Sequence, residues 1–352
     1  MDIGIFTASD DIDDLVAQAT QISAEGFETM WIPQIFGVDA ITALAVVARE
    51  VPDLRFGTAV IPTYPRHPAM LAAQTKTLSS ISGGRFTLGI GLSHQLVIEG
   101  MFGMSFEKPV RHMREYLDIL LPLLANEPVS ASGDTLTFNG AFMFEAPPTP
   151  VLIAALGPTM LKLAGRRADG TSTWMTGPKT IEEHVAPTIR AAAEEAGRPE
   201  PQVVVSIPVC VTDDVAAGTE RAAKEYEMYG GLPSYRAMMD REGVDGPAGI
   251  AIVGSADEAA TRIAGLFDAG ATLVNGMAFG TAYTFGTFFD SMADEFGAEA
   301  GATALLFGLT LLFFFGFGVV SGPLSDRYGH DRVLAVGGAL FVTGLVLTSQ
   351  VG

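Results

Sequence analysis

Residues 54–95 read LRFGTAVIPTYPRHPAMLAAQTKTLSSISGGRFTLGIGLSHQ, and this stretch decides the fold. It opens with an apolar run of strand length at 54–61 and continues into a helical pattern at 67–81. Gly83-Gly84 then turn the chain into a second apolar run at 86–91. A strand, a helix and a second strand in this order form a crossover unit, which joins parallel strands. The stretch therefore predicts an α/β fold built around a parallel sheet.

The same alternation runs outward in both directions. Apolar runs of strand length stand at 2–8, 28–32, 54–61, 86–91, 151–156, 170–175, 202–211 and 271–279. Helical patterns stand at 11–25, 67–81, 108–125, 158–168, 180–196, 214–229 and 256–269. Eight strands alternating with helices predict a (β/α)8 TIM barrel, with 129–146 as a short hairpin insertion. An open doubly wound sheet is the alternative, although it usually has fewer strands and no GxGxxG follows the first strand.

Composition excludes several classes of function. The chain has 40 acidic and 21 basic side chains and a net charge of −19, all of it on residues 1–299. Such an acidic body repels nucleic acid and anionic surfaces, so no nucleic-acid partner is expected. Cys210 is the one cysteine, which predicts a core position and no intrachain disulfide. The first residues lack the pattern of a signal peptide, so we expect the body in the cytoplasm.

The carboxyl ends of the strands are where a TIM barrel places its reactive groups. After the fourth strand, Gly89 and Gly91 leave bare backbone, which suits either a flat ring lying against it or close packing of small residues. After the fifth, Gly157-Pro158 opens a helix whose free N–H groups can bind an anion. After the sixth, Thr176-Gly177 forms a second turn with N–H donors. Two such turns on neighbouring strands predict a phosphate site.

Five segments near the strand ends carry a family resemblance: WIPQ, GTAVIPTYPRHP, SGGRFTLGIGLSH, AALGPTMLKLAGRRADGT and WMTGP. Together they resemble the luciferase-like monooxygenase superfamily, and more closely its branch of oxidoreductases that depend on coenzyme F420, a deazaflavin. The resemblance covers residues 1–280 and implies hydride transfer between F420 and a small organic substrate. The alternative within the superfamily is an FMN-dependent monooxygenase that uses oxygen. Relatives commonly dimerise, so a homodimer is also an expectation of the resemblance.

The resemblance also implies positions for the site. A non-prolyl cis peptide would fall at Ala59-Val60 and form a bulge behind the central cofactor ring. The residues expected to bind the cofactor are Ala59, Val60, Gly91, Ser93, His94, Gly157, Pro158, Thr159, Thr176 and Gly177. Where some relatives have an Asp-His pair after the second strand, this chain has Gln34 and Ile35, so an acid–base mechanism based on that pair does not carry over.

His94 is the candidate catalytic residue for proton transfer. An imidazole with an ordinary pKa of about 6.5 donates or accepts a proton near neutrality. The alternative is that His94 only hydrogen-bonds the cofactor or a neighbouring loop. Of the other histidines, His67 begins a helix and is expected to be structural, and His112 and His184 are expected at the surface. No spacing of His or carboxylate residues indicates a metal site, and the apolar residues at 101–104 indicate either an apolar pocket or core.

The chain ends in a hydrophobic stretch unlike the rest. Residues 300–325 and 333–352 carry no charge, and each run can span about 30 Å of hydrocarbon. Between them, GPLSDRYGHDRVL resembles the loop between the second and third helices of major facilitator transporters. This implies a barrel at 1–280, a junction at 281–299 in which the eighth helix is missing or replaced, and a two-helix hydrophobic hairpin at 300–352.

The tail adds a third hypothesis, a non-catalytic membrane-associated fusion with a transporter fragment. Two spans cannot form a transporter, which needs about a dozen. A hairpin with its loop in the cytoplasm would also place residue 300 outside the cell, in conflict with a cytoplasmic barrel. The sequence therefore indicates a fused or rearranged reading frame that retains a cytoplasmic enzyme, with membrane contact only if the hairpin inserts.

Overall fold

In the computed structural model, which describes residues 1–279, eight parallel strands close into a barrel. The barrel strands are β1 (Asp2–Phe6), β2 (Thr29–Ile32), β3 (Arg55–Thr58), β4 (Phe86–Gly91), β5 (Val151–Ala154), β6 (Gly170–Trp174), β7 (Gln202–Val211) and β8 (Leu273–Ala278). Each pairs with the next, and β1 pairs with β8, where Asp2 lies opposite Leu273. The predicted TIM barrel is confirmed, and the open sheet is excluded because the strands close on themselves.

Helices surround the barrel. Within residues 1–279 they are α1 (Ile12–Ala24), α2 (Ala40–Glu50), α3 (Pro68–Ser82), α4 (Gln95–Gly100), α5 (Pro109–Leu124), α6 (Pro158–Arg167), α7 (Pro178–Thr180, continued by a π-helical turn at Ile181–Val185 and by Ala186–Glu195), α8 (Val215–Glu225), α9 (Glu227–Gly230), α10 (Pro233–Glu242), α11 (Pro247–Ile250) and α12 (Ala256–Asp268). A short strand at Ile252–Gly254 pairs with β7 outside the barrel. Each of the predicted helical patterns is occupied by a helix.

Four of the described helices, α2, α4, α10 and α11, lie where no helical pattern is predicted. The sequence of α2, AITALAVVARE, is mostly apolar, and its buried residues at 40, 41, 43, 44, 47 and 48 follow the helical period. The side chain of Asp39 accepts a hydrogen bond from the Thr42 amide and starts this helix. The sequence of α10, PSYRAMMDRE, is short and polar, with Pro233 at its first position. Buried residues on each of these two helices, such as Leu44 on α2 and Met239 on α10, stabilise it.

The predicted third strand, 54–61, is broken in two. After β3 the peptide between Ala59 and Val60 is cis, and the chain resumes strand pairing at Ile61–Pro62. At the break, the Thr58 hydroxyl accepts from the Gly89 amide at 2.9 Å and lies 3.0 Å from the Gly89 carbonyl oxygen. The Thr58 hydroxyl thus replaces the backbone partner that β4 loses at the break. Both the amide and the carbonyl of the buried Gly89 therefore have a hydrogen bond.

Apolar side chains fill the interior of the barrel below its carboxyl ends. The cluster consists of Phe6, Trp31, Leu152, Val204 and Leu273. These residues alternate along their strands with residues that face the helices, as the two-residue period of a strand requires. A Cβ built on Gly57 would lie 2.2 Å from Cε3 of Trp31, so only glycine fits beside this ring. The filled interior confines any ligand to the carboxyl ends of the strands.

The predicted hairpin insertion is present as antiparallel strands at Val129–Ser132 and Thr137–Gly140. The Glu115 carboxylate stabilises the turn of this hairpin by accepting hydrogen bonds from the amides of Asp134, Thr135 and Leu136 at 2.9–3.2 Å. The predicted junction at 281–299 and the predicted hydrophobic hairpin at 300–352 lie outside the described residues. No helix within residues 1–279 has both the length and the apolar character needed to cross a membrane.

Candidate active site

A cavity of about 820 Å³ opens at the carboxyl ends of the barrel strands. Its walls come from the ends of β1, β3, β4, β5, β6 and β7, from α4, and from the segment that leads into α10. The lining consists of Phe6, Glu99, Phe106, Met160, Ser206 and the stretches 59–60, 91–96, 154–157, 172–174 and 231–235. This is the end of a TIM barrel at which binding sites are built.

The Ala59-Val60 bulge forms one wall of the cavity and packs against β4 and β5. A Cβ built on Gly91 would lie 2.6 Å from Cγ2 of Val60 and 3.2 Å from Cβ of Ala154. A Cβ built on Gly89 would lie 1.9 Å from the Thr58 carbonyl oxygen. Both glycines are therefore required by the bulge itself. The sequence left two interpretations for these glycines, close packing or a face for a flat ring. Close packing accounts for Gly89, whereas Gly91 packs closely and also lines the cavity.

Ser93 and His94 follow β4 and face the same cavity. Ser93 has a φ of 61°, a left-handed conformation that redirects the chain toward α4. His94 is half-buried, and its ring centroid lies 5.7 Å from that of Tyr235. Burial lowers the pKa of His94 below its ordinary value, because the charged imidazolium loses its hydration. The imidazole is therefore neutral at pH 7 and has a basic nitrogen.

The predicted turn after β5 lies at the rim of the cavity. Gly157 lines the cavity, and α6 begins at Pro158. The first amide to donate within the helix is that of Leu161, which donates to the Gly157 carbonyl at 3.0 Å. Pro158 and Thr159 are exposed next to the lining residues. The first amides of a helix have no partner within it, so the N-terminus of α6 can donate to an anion at this rim.

The predicted turn after β6 lies elsewhere. Thr176 is fully buried, and its hydroxyl donates to the Trp174 carbonyl at 3.1 Å. Behind Gly177, the carboxylate of Glu242 accepts from the amides of Lys179 and Thr180 at 3.2 and 2.8 Å. Neither Thr176 nor Gly177 lines the cavity. That this turn joins Gly157 in a phosphate site stays a prediction; the Glu242 carboxylate binds the amides of Lys179 and Thr180, which follow the turn.

The barrel, the bulge and the strand-end cavity agree with a family match. The sequence profile described as luciferase-like monooxygenase matches residues 1–273. The chain belongs to this family. Among curated relatives, the 5,10-methylenetetrahydromethanopterin reductase of Methanolobus tindarius is 33% identical over 262 residues, which are 73% of this chain and 79% of that protein.

Solved structures of luciferase-like proteins share the fold. The coenzyme F420 dependent tetrahydromethanopterin reductase from Methanopyrus kandleri superimposes with a TM-score of 0.67 at 25% identity, covering 79% of this chain and 93% of that one. The oxygenating constituent of 3,6-diketocamphane monooxygenase from Pseudomonas putida, in complex with FMN, gives a TM-score of 0.65 at 19% identity over 79% of this chain and 92% of that one. At that identity the second likeness shows the fold alone.

A row of aromatic rings, of which Phe6, Trp174 and Tyr235 line the cavity and Tyr229 packs behind them, is absent from the sequence predictions. Ring centroids lie 5.4 Å apart for Phe6 and Trp174, 5.9 Å for Trp174 and Tyr229, and 5.1 Å for Tyr229 and Tyr235. The row then reaches His94. Burial raises the pKa of Tyr229 and of Tyr235, so both phenols stay protonated. The signal that could have located this wall is EYEMYGGLPSY at 225–235, where aromatic residues cluster around a Gly-Gly pair.

Two histidines expected at the surface are buried, which corrects that prediction. His112 is 7% exposed, stacks on Tyr64 with centroids 3.9 Å apart, and has Nε2 3.0 Å from the Thr63 hydroxyl. Burial lowers its pKa to about 4. His184 is equally buried, and its Nε2 donates to the Leu156 carbonyl at 2.8 Å. It thereby holds the end of β5, from which Gly157 reaches the cavity.

The remaining candidates have structural roles or lie outside the cavity. His67 caps α3 by accepting from the Ala69 amide at 3.3 Å, in agreement with its structural interpretation. The Gln34 carbonyl oxygen accepts from the Ala40 amide at 2.8 Å, and Ile35 is exposed. The apolar side chains at 101–104 are exposed and do not line the cavity. Within residues 1–279, no cluster of His, Cys, Asp or Glu is arranged to hold a metal ion.

Proposed function

We propose that this protein is an oxidoreductase that transfers hydride between coenzyme F420 and a small organic substrate. The observation that carries the proposal is the strand-end cavity, in which the Ala59-Val60 bulge, Ser93 and His94 stand together. The preference for F420 over FMN rests on the relatives. The Methanopyrus kandleri enzyme, described as F420 dependent, shares 25% identity, whereas the FMN-bound monooxygenase shares 19% and supports the fold alone.

The residues around the cavity fit a deazaflavin cofactor. The cavity volume of about 820 Å³ lies within the range of about 300–1,000 Å³ common for cofactor sites. Val60 would stand behind the central ring with Gly91 beside it, and Ser93 and His94 would meet the ring edge. The exposed turn at 157–159 would hold a phosphate through the N-terminus of α6. When bound, F420 supplies a deazaflavin ring that carries the hydride.

The chain itself would exclude water and manage protons. Phe6, Trp174 and Tyr235 line the cavity, so their rings can pack against an organic substrate and keep water away from it. The neutral imidazole of His94 can accept a proton at its basic ring nitrogen. Tyr235 stays protonated and can donate a hydrogen bond from its hydroxyl.

Titration of the purified full-length chain with each cofactor tests the proposal. We expect F420 to bind with a shift in its absorbance and fluorescence, and FMN to bind more weakly. Tight FMN binding without any F420 binding would overturn the choice of cofactor and favour the monooxygenase alternative. Binding of neither cofactor would overturn the proposal as a whole.

His94 has two proposed roles that kinetics can separate. If it transfers a proton, His94→Ala lowers kcat by about 100-fold or more and removes one limb of the pH profile. If it only hydrogen-bonds the cofactor, the variant raises the Kd for F420 and leaves the shape of the pH profile unchanged. We propose the first role. A wild-type pH profile in His94→Ala would contradict it.

Two proposals concern the chain beyond the cavity. A homodimer is supported by the habit of the family and is tested by light scattering of the eluting protein, where a monomer mass would contradict it. A fusion of a cytoplasmic barrel at 1–280 to a transporter-like hairpin at 300–352 is supported by the uncharged tail sequence. Full-length chain that is monodisperse without detergent would exclude membrane anchoring.

A further inference from the structure

Glu242 connects two elements that are distant in sequence. It is the last residue of α10, and its carboxylate lies at the N-terminus of α7. One oxygen accepts from the Lys179 amide at 3.2 Å. The other accepts from the amide and the hydroxyl of Thr180 at 2.8 and 2.7 Å. Hydrogen bonds to an ionised acceptor are the strong class, and a carboxylate at a helix N-terminus also interacts favourably with the helix dipole.

The fit around this carboxylate is close. A Cβ built on Gly177 would lie 2.4 Å from Cδ of Glu242, so the turn after β6 has room for the carboxylate only because residue 177 is glycine. The partners of Glu242 are donors that α7 leaves free at its first turn. Glu242 is therefore the cap of α7, supplied from α10 rather than from the residues before the helix.

The other end of α10 forms part of the cavity wall. Residues 231–235 lead into this helix and line the cavity. Tyr235, in its first turn, faces His94 on one side and Tyr229 on the other. A helix of ten residues is about 15 Å long, so a change at Glu242 is transmitted over that distance by a rigid element.

Other contacts of α10 act differently. The Arg236 guanidinium donates to the carbonyls of Val244 and Asp245 at 2.7 and 2.6 Å, which fixes the loop after the helix rather than the helix to the barrel. Met238 and Met239 are buried and supply apolar packing, and the Met238 carbonyl lies 3.3 Å from the Thr180 hydroxyl. The bonds of Glu242 are directional, shorter, and end on the first turn of α7, so they are the main contacts that define where α10 stands.

We propose that Glu242 is a positioning residue of the site, which holds α10 against the turn after β6 and thereby sets the place of Tyr235 and of residues 231–235 in the cavity. The identity of the ligand in the cavity rests on the proposed F420 function, whereas the contact of Glu242 with α7 does not. The carboxylate binds the amides of Lys179 and Thr180, directly after the predicted phosphate turn at 176–177, and the N-terminus of α6 lies at the rim of the cavity.

Two measurements on Glu242→Ala test the link. In the cofactor-free protein, acrylamide quenching of tryptophan fluorescence reports on Trp174, which touches Tyr229 in the wall, while Trp31 stays inside the barrel. We expect stronger quenching in the variant. With F420, we expect the Kd to rise about tenfold, the factor that corresponds to the loss of one charge-assisted hydrogen bond. Glu242→Gln keeps one acceptor oxygen, so its quenching and its Kd should lie between those of Glu242→Ala and the wild type.

The matched control is Asp240→Ala, which removes a carboxylate from the same helix whose partner is Arg236 within α10. Both readouts should stay at wild-type values there. If Glu242→Ala does not fold, Thr180→Val removes the hydroxyl that bonds the carboxylate and the Met238 carbonyl but keeps the amide bonds, and it should show the same two effects in smaller form.

Three results would be decisive against the proposal or against its premise. Wild-type quenching and wild-type Kd in Glu242→Ala would overturn the positioning role. Tighter F420 binding in that variant would also overturn it, because a phosphate would then be using the donors at 176–180. Absence of F420 binding by the wild-type chain would overturn the proposed function alone, and the quenching comparison would still decide the role of Glu242.

Discussion

Gly91→Ala is the substitution for which the structure gives the clearest magnitude. The added Cβ would lie 2.6 Å from Cγ2 of Val60 and 3.2 Å from Cβ of Ala154. Carbon atoms in contact stand about 3.5–4.0 Å apart, so Val60 must retreat by about 1 Å. Overpacking of this kind costs about 1–3 kcal/mol of the free energy of unfolding, which lowers Tm by several degrees. Because Val60 lines the cavity, the Kd for F420 should rise about tenfold or more.

Thermal unfolding and F420 titration measure these two effects, and a second substitution checks their cause. Val60→Ala removes the atom in conflict, so Gly91→Ala combined with Val60→Ala should be more stable than the sum of the single changes, by about 0.5–3 kcal/mol. Gly89→Ala is the control, since its Cβ would meet the Thr58 carbonyl oxygen at 1.9 Å, and Val60→Ala cannot relieve a clash with backbone. Wild-type Tm in Gly91→Ala, or no recovery in the double variant, would refute the packing argument.

Three further predictions concern stability. Because burial lowers the pKa of His112 to about 4, while an unfolded imidazole titrates near about 6.5, the unfolded state binds the proton first. The free energy of unfolding should therefore fall as pH drops through that window, by at most about 1.4 kcal/mol per pH unit; urea titrations across it should show a flatter dependence for His112→Gln, and an equal slope would contradict the assignment. Lys76 is 1% exposed with Nζ 2.7 Å from Oδ1 of Asn126, so Lys76→Ala should lose about 2–5 kcal/mol in chemical denaturation. Lys76→Met, which keeps the aliphatic packing, should lose clearly less, and equal losses would show that the charge matters more than the packing. In Gly4→Ala the Cβ would lie 2.0 Å from Oγ1 of Thr29, which predicts a loss of about 1–3 kcal/mol in thermal unfolding; Thr29→Ala in the same chain should recover part of it, and no recovery would place the clash elsewhere.

The local sequence pattern predicted much of the fold. Alternating apolar runs and helical stretches located the barrel strands, because parallel strands buried on both faces give continuous apolar sequences that a few turn residues interrupt. The crossover unit at 54–95 implied parallel pairing, and eight such strands implied closure. The sequence analysis missed α2, although its buried residues follow the helical period, and it missed α10, whose short polar sequence has no clear period.

The site was predictable where it depends on one strand end and its own turn. The bulge at 59–60, the pair at 93–94 and the turn at Gly157 are local features of sequence, and all of them line the cavity. The turn at 176–177 looked equivalent in sequence, but it does not line the cavity. The amides that follow it, those of Lys179 and Thr180, bind Glu242, which lies more than sixty residues away along the chain. Nothing near Gly177 records that partner.

The sequence by itself determined the alternation of strands and helices, the family resemblance and the acidic character of the body. Only the tertiary structure showed which strand-end turn lines the cavity, that His112 and His184 are buried, and that Tyr229 packs against both Trp174 and Tyr235. The physical reason is that periodicity reports how one element is buried along its own axis. Contacts between elements depend on how the barrel closes, and closure brings together residues whose distance along the chain carries no local signal.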